Sequence, residues 1–412
     1  AERVFSFYGR ISTGVITCYA SSMAAVLDEV KEVRPTLFGG VPRIFEKAYS
    51  RIGSEVEKQS PMVRSLFAWA TRVGRERIQR QQRGQSIPFT LELQYRIAHR
   101  VVFRKIRDAF GGRVRQFITG AAPIAQDILE FFWAAGLPIY EVYGLTEATV
   151  ITHGNREGEV RLGTVGRPIP PMEQRLAEDG EILLRGPWLF QGYFKNEEAT
   201  REMLIDGWLH TGDIGSIDAD GYLRITDRKK HLIITSGGKN LTPATIENAI
   251  KNEDPLISQV FAHGDRRPYV SALIAPSPME TLEWGQERGL LTAADVKERI
   301  QELMHNPSAR SDALNQAMAK VVAHPDFAAR IRKAVQRGNQ KLAHVESVRR
   351  FFVLDRDFSQ EHGELTPTLK VKRKVIEANY GAQFDRLYLE PAFGLDVHET
   401  PGGIGASHAR AS

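Results

Sequence analysis

The chain holds a single cysteine in 412 residues, Cys18, so no internal disulfide can form and cysteine-based metal sites are excluded. That usage fits a reducing cytoplasm, where a lone cysteine is expected to be buried as inert packing. No apolar run is long enough to span a bilayer. No charged-then-apolar leader opens the chain, which starts abruptly at Ala1-Glu2-Arg3-Val4-Phe5 and reads as the middle of something. A cytoplasmic location is therefore expected, with peripheral contact at the inner membrane surface as the remaining membrane role. An excess of one charge is lacking too. The 55 basic and 50 acidic residues are too evenly balanced to imply a nucleic-acid partner. The last stretch, Pro391 to Ser412, lacks apolar periodicity and is expected to fray.

What is present is a repeated α/β rhythm. Pro35 to Phe38 is a short apolar run ending in Gly39-Gly40, and Pro42 stands where a helix through Ile52 can start. Val114 to Thr119 reads as a strand and Gly120-Ala121-Ala122 as a small-residue turn. Pro123 opens a helix to Ala135, Gly136 stops it, and Pro138 to Tyr143 is the next strand. A strand–helix–strand unit implies parallel strands and a right-handed crossover. Both strands then end on one edge of the sheet, where open α/β sheets bind ligands. Gly120–Ala122 and Tyr143–Glu147 are thus predicted neighbours.

From about Gly163 the runs become short and alternating. Glu181 to Arg185, Ile214 to Ile217 and Tyr222 to Ile225 predict a small, mostly antiparallel β subdomain, with Asp218 to Gly221 as a turn. Asp227-Arg228-Lys229-Lys230 reads as a hinge. Beyond it, Thr242-Pro243 starts a helix to about Lys251, Gln259 to His263 and Val270 to Ala275 read as strands, and Pro278 to about Arg337 is rich in helix formers. The expected organisation is a partial large α/β domain over 1–160, a β subdomain over 161–226 and a smaller, mobile α+β domain over 227–390. That last domain carries a helical insertion at about 278–340.

Arg64 to Arg107 carries eleven Arg or Lys against two Glu, interleaved with Phe67, Trp69, Ile78, Tyr95, Ile97, Val101 and Phe103. It reads either as a solvated helix pair with its apolar face in the core, or as a basic surface for anionic lipid headgroups.

The turn Tyr143-Gly144-Leu145-Thr146-Glu147 combines an aromatic ring, a glycine allowing close backbone approach, a hydroxyl and a carboxylate. Those groups can stack on a base, sit against a sugar or phosphate, and hold Mg²⁺ between phosphates. As a pattern alone it is equally a strand-end turn with incidental polar residues. With the motifs around it, it resembles the signature of the adenylate-forming superfamily: acyl-CoA synthetases, peptide-synthetase adenylation domains and luciferases.

The resemblance implies that Tyr143 stacks on adenine, Thr146 contacts phosphate and Glu147 ligates Mg²⁺. Gly120-Ala121-Ala122-Pro123 is similar to the family turn flanking adenine. Trp208-Leu209-His210-Thr211-Gly212-Asp213 resembles the run whose Asp accepts from both ribose hydroxyls, which two carboxylate oxygens allow. Asp227 to Lys230 resembles the family hinge, with Asp227 the pivot, Arg228 reaching the ribose and Lys230 beside the nucleotide. Ser236-Gly237-Gly238-Lys239-Asn240 is similar to the loop lining the coenzyme A tunnel. Leu365-Thr366-Pro367-Thr368-Leu369-Lys370-Val371-Lys372-Arg373 resembles the motif of the mobile catalytic lysine, here Lys370, with Lys372 and Arg373 as alternatives.

The form of that last motif, Val41 to Lys47 and the helical insertion are similar to long-chain fatty acyl-CoA synthetases. The implied substrates and cofactors are fatty acid, ATP (or AMP), Mg²⁺ and coenzyme A. A fatty acyl-AMP ligase, a non-catalytic remnant and a membrane scaffold are the alternatives. One family element is not found. No Ser/Thr/Gly-rich run with a following lysine, which grips the ATP β- and γ-phosphates, occurs anywhere from Ala1 onward, and Ile11 to Gly14 is too short. An N-terminally truncated chain with an unpaired apolar sheet edge is therefore expected.

Overall fold

A computed structural model describes residues 7–21, 25–305, 311–366 and 370–397. The chain divides after Lys230 into two compact units, Ala1–Lys230 and His231–Ser412.

The first unit opens with α1 (Arg10–Thr13), α2 (Val26–Val33), β1 (Leu37–Gly40) and α3 (Pro42–Glu57), where Pro42 occupies the first helical position. A long pair follows: α4 (Pro61–Gln82), then α5 (Phe89–Ala98), which runs through a π-helical turn (His99–Phe103) into α6 (Arg104–Ala109). Next come β2 (Gln116–Thr119), α7 (Gln126–Ala134), β3 (Ile139–Tyr143), β4 (His153–Gly154) and β5 (Arg167–Pro168). These five strands form one sheet in chain order. β1, β2 and β3 are parallel, and β4 and β5 add antiparallel to β3. The expected parallel crossover is present.

Two boundaries differ from expectation. Gly39 and Gly40 lie inside β1, paired with Ile118 and Thr119, because the ladder is made by backbone N–H and C=O groups and needs no side chain. The helix expected from Pro123 begins at Gln126, after an extended Ala125.

The unit's core is aromatic. Phe45, Phe110, Phe117 and Phe132 are fully or almost fully buried and meet edge to face at centroid separations of 5.2–5.9 Å. Burying each ring contributes about 2–3 kcal/mol. The basic segment forms a helix pair whose inner face supplies Ala70, Ile78, Ala98, Phe103 and Ile106 to this core. Cys18, expected to be buried, lies exposed on an irregular segment.

The β subdomain is a five-stranded antiparallel sheet, ordered β10-β9-β7-β6 with β8 pairing on β9. Its strands are β6 (Glu173–Leu176), β7 (Glu181–Arg185), β9 (Trp208–Ile217) and β10 (Leu223–Arg228), with α8 (Glu197–Met203) and the short β8 (Leu204–Ile205) before β9. Ile182, Leu184, Leu209 and Leu223 project into one apolar cluster that also takes Tyr143 from β3 and Ala148 from the turn after it. That shared cluster sets the Tyr143–Glu147 turn against β9.

The second unit begins with the two-residue strands β11 (Ile233–Ile234) and β12 (Asn240–Leu241), then α9 (Pro243–Lys251). A four-stranded sheet follows, made of β13 (Ile257–His263), β14 (Val270–Pro276), β15 (Val348–Val353) and β16 (Leu395–Asp396) in that order. Among the described residues, four α-helices run between β14 and β15: α10 (Pro278–Glu287), α11 (Ala293–His305), α12 (Asp312–Val322) and α13 (Pro325–Asn339). Two more, α14 (Arg373–Asn379) and α15 (Gly381–Leu389), precede β16.

The tail does not fray from Pro391 as expected. Leu395 and Asp396 pair with β15, Val397 is buried, and its carbonyl accepts from Gln336 Nε2 at 2.7 Å. These long-range pairings carry no local periodicity. Residues 398–412 lie outside the described residues.

Candidate active site

The turn after β3 is closed by its own backbone. Thr152 N–H donates to Tyr143 O at 2.9 Å, Val150 N–H to Leu145 O at 3.0 Å, and Phe190 N–H to Glu147 O at 2.7 Å. A short 3₁₀ turn, Thr146–Ala148, sits in the middle. Gly144 lies so close to the returning chain that an added Cβ would fall 1.6 Å from Val150 O. Thr149 and Val150 carry positive φ angles of 52° and 84°, a conformation that costs a β-branched residue energy and clusters at functional sites. Beside them, a Cβ on Gly120 would stand 2.8 Å from Val142 O, so the two expected turns are neighbours at the ends of β2 and β3. Ala121 is exposed with φ of +70°, and Ala122 is exposed next to it.

Tyr143 is buried, and its O–H donates to Asp213 Oδ2 at 2.6 Å. Burial, followed by the Asp213 charge, pushes the phenol well above its ordinary pKa, so it stays a donor. The other oxygen, Asp213 Oδ1, pairs with Arg228 Nε at 3.0 Å, the two residues being partners across β9 and β10. The structure thus brings Tyr143, Asp213 and Arg228 into one cluster from three strands.

Glu147 is half-buried and its Oε1 accepts from Tyr193 O–H at 2.7 Å. Burial and then the Glu147 carboxylate push the Tyr193 phenol up to about 12. A cavity of about 350 Å³ lined by Gln191, Gly192, Tyr193, Glu197, Thr200 and Arg201 opens beside this pair. Thr146 and Lys230 are exposed. Lys229 is held by Asp179 at 2.5 Å and Glu181 at 3.1 Å. Glu147 fits Mg²⁺, which takes one or two carboxylates and completes its shell with substrate phosphates and water. Among the described residues no cluster of three or more acidic, His or Cys side chains is arranged for a metal.

In the second unit, Gly237, Gly238 and Lys239 form the exposed turn joining β11 to β12. Thr235 N–H donates to Lys239 O at 3.0 Å and Gly238 N–H to Thr235 O at 2.9 Å. Lys370 is exposed at the described end of a short hairpin closed by a Leu365–Val371 bridge, while Pro367 to Leu369 lie outside the described residues. Of the two alternatives to Lys370, Arg373 is structural. It pairs with Glu247 Oε1 at 2.6 Å, donates to Ala262 O and covers the Phe261 ring. Lys372 is exposed at the start of α14.

The sequence matches the profile of the AMP-binding enzymes over residues 2–194 and that of the AMP-binding enzyme C-terminal domain over residues 230–325. The chain belongs to the AMP-binding enzyme family. Relatives in that family include the long-chain-fatty-acid–CoA ligase FadD15 of Mycobacterium tuberculosis, 35% identical over 383 residues, which are 93% of this chain and 59% of that protein. The putative fatty-acid–CoA ligase fadD11 of the same species is 36% identical over 391 residues, 94% of this chain and 64% of that one. The chain therefore spans about three fifths of the length of these relatives.

Two solved structures share the fold. The adenylation domain of a carboxylate reductase from Mycobacterium chelonae superposes with a TM-score of 0.62 at 22% identity, over 90% of this chain and 49% of that one. The corresponding domain from Segniliparus rugosus, solved with AMP and a co-purified carboxylic acid, gives 0.61 at 21% identity, over 93% of this chain and 52% of that one.

Sequence reasoning missed Tyr193, which follows Gly192 in a segment with no periodicity of its own. The one available signal was a tyrosine beside a glycine ahead of the helix start Asn196-Glu197-Glu198.

Proposed function

We propose that the chain is the larger part of an ATP-dependent long-chain fatty acid–CoA ligase. The observation that carries this reading is the Tyr143–Asp213–Arg228 cluster at the carboxyl end of a parallel strand, set beside the Gly144–Glu147 turn. Tyr143 and the Gly120–Ala122 backbone bound the adenine. Asp213 accepts from the ribose hydroxyls, and Arg228 is paired with that carboxylate. Thr146 donates to phosphate oxygen, and Glu147, oriented by Tyr193, would hold Mg²⁺, which supplies charge neutralisation at the phosphates.

A fatty carboxylate attacks the α-phosphorus of ATP, forming acyl-adenylate and releasing pyrophosphate. Lys370 stabilises the negative charge that develops on the phosphate oxygens. The C-terminal unit then pivots about Asp227, and the Gly237–Lys239 turn admits the coenzyme A thiol. The thiol displaces AMP to give the thioester.

Replacing Lys370 by Ala is expected to lower acyl-adenylate formation about 10²–10³-fold, read as hydroxamate trapping with palmitate and ATP. Adenylation within about twofold of the parent would sink the assignment of this lysine, since a lost charge donor in the transition state costs more. Product analysis with and without coenzyme A separates the ligase from an acyl-AMP ligase, and a chain forming neither product is a non-catalytic remnant.

A second observation favours peripheral membrane contact through the basic 64–107 segment. Phe89, Leu93, Ile97 and Val101 recur every four residues along α5 and its continuation. They are 80%, 49%, 49% and 47% exposed, with the exposed Arg96, Arg100 and Arg104 alongside. An apolar stripe flanked by arginines is the pattern of a helix lying in an anionic interface. The double change Ile97→Asp/Val101→Asp is expected to abolish sedimentation with phosphatidylglycerol vesicles, and about 0.5 M salt to weaken it severalfold. Sedimentation indifferent to both salt and anionic lipid would end this reading. No helix among the described residues is long and apolar enough to cross a membrane.

A further inference from the structure

The hairpin that carries Lys370 stands on a buried charge cluster. The Glu364 side chain is fully buried, and its two oxygens accept from Arg356 Nη1 and Nη2, each at 2.8 Å. Oε1 also accepts from Tyr380 O–H at 3.0 Å, and Oε2 from Ser359 N–H at 3.0 Å. Burial alone would raise the Glu364 pKa. The Arg356 hydrogen bonds and charge, together with the Ser359 N–H and the Tyr380 hydroxyl, outweigh it and hold the carboxyl below the ordinary carboxylate value.

The same residue ties the hairpin through its main chain. Lys372 N–H donates to Glu364 O at 2.8 Å, and Glu364 N–H to Ser359 O at 2.9 Å. The next rungs outward are the Leu365–Val371 bridge and then Thr366 N–H to Lys370 O at 2.8 Å, with Lys370 N–H returning to Thr366 Oγ1 at 3.0 Å. Leu365 packs beneath these rungs with Phe358, Ile376 and Tyr380 in one apolar cluster. Glu364 therefore joins the two arms at the base of the hairpin through its carbonyl, while its side chain is fixed beneath them.

A buried ion pair is a poor stabiliser, because desolvation offsets most of its attraction. A bidentate guanidinium–carboxylate pair does fix direction and plane. We propose that Arg356, Glu364 and Tyr380 are positioning residues that set the height and direction of the hairpin arms, and through them the backbone of Lys370. The proposal rests on the reading of Lys370 as the lysine of the adenylation step.

Tyr380→Phe is the primary variant, because the ring and its packing remain, and Glu364→Gln, which keeps the shape and removes the charge, is the second. Hydrogen–deuterium exchange should speed about tenfold at the Thr366, Lys370 and Lys372 amides, with β13 and β14 unchanged. Adenylation kcat should fall about tenfold, KM for ATP and palmitate should hold, and thioester formation from supplied palmitoyl-adenylate should be unaffected. A purely structural role predicts equal losses in both half-reactions.

Unchanged exchange at these amides in both variants overturns the clamp. Faster exchange with unchanged adenylation, in a protein that Lys370→Ala inactivates, overturns its role in positioning the lysine. Lys370→Ala with intact adenylation removes the reading of the lysine and with it the clamp's effect on chemistry. The exchange data then still decide whether the clamp holds the hairpin.

Discussion

Gly144→Ala is expected to lower the thermal midpoint of the N-terminal unit by roughly 6–12 °C and to abolish AMP binding. The added methyl would lie 1.6 Å from Val150 O, 2.5 Å from Val150 C and 2.8 Å from Ile151 Cα. All three are backbone atoms, so no side-chain rotation relieves the clash. The returning chain cannot back away cheaply, since Val150 N–H is bonded to Leu145 O and Thr152 N–H to Tyr143 O. Thr149 and Val150 already hold positive φ angles, so the turn has little slack left. Overpacking of this kind costs about 3 kcal/mol. Gly39→Ala is the control. Its Cβ meets nothing within 4 Å, and the strand φ suits any residue. Calorimetry of the two variants beside the parent checks the prediction, and equal midpoints for all three would show that the turn opens freely.

The sequence was most legible where the signal is local. The strand–helix–strand rhythm from Val114 to Tyr143 predicted parallel pairing because period, breakers and small-residue turns all lie within thirty residues. The same holds for the Asp218–Gly221 turn and for Thr242-Pro243, each written in two to four adjacent residues. What was hidden is long-range. Tyr143 and Asp213 are 70 residues apart and on different sheets, so the 2.6 Å bond between them has no sequence signature. Glu147 and Tyr193 are 46 apart, and Glu364 meets Tyr380 from across an apolar cluster. Each is a polar pair whose members look like ordinary surface residues until the fold buries them. The tail was misread for the same reason. Leu395 and Asp396 gain strand character only from β15, some forty residues earlier in the chain.

Glu141→Gln is expected to make the protein more stable at pH 8 and to leave it unchanged near pH 4.5. Glu141 lies in β3, two residues before the site tyrosine. Its Oε2 is buried without a hydrogen-bond partner. Burial pushes the carboxyl up to about 8, and Arg224 and the Gly163 N–H offset only part of that. The native state then holds a proton that the unfolded chain releases near pH 4.5, so the unfolded state binds fewer protons between those limits. Stability must therefore fall as pH rises through the window, by up to about 1.4 kcal/mol per unit.

Water entry and relaxation around an ionised Glu141 reduce the total to about 3 kcal/mol at pH 8. An amide keeps the size of the protonated acid and does not titrate, so the variant loses this slope. The parent minus variant difference in urea midpoint should be near zero at pH 4.5 and widen steadily to pH 8. Parallel pH profiles for the two proteins would mean that Glu141 ionises at its ordinary value. A carboxyl held protonated at this place has a consequence for the site as well. Ionising it puts a buried charge, only partly compensated by Arg224 and the Gly163 N–H, on the strand that carries Tyr143, so the Tyr143–Asp213 bond and nucleotide affinity should weaken in the parent above pH 8, and hold in Glu141→Gln.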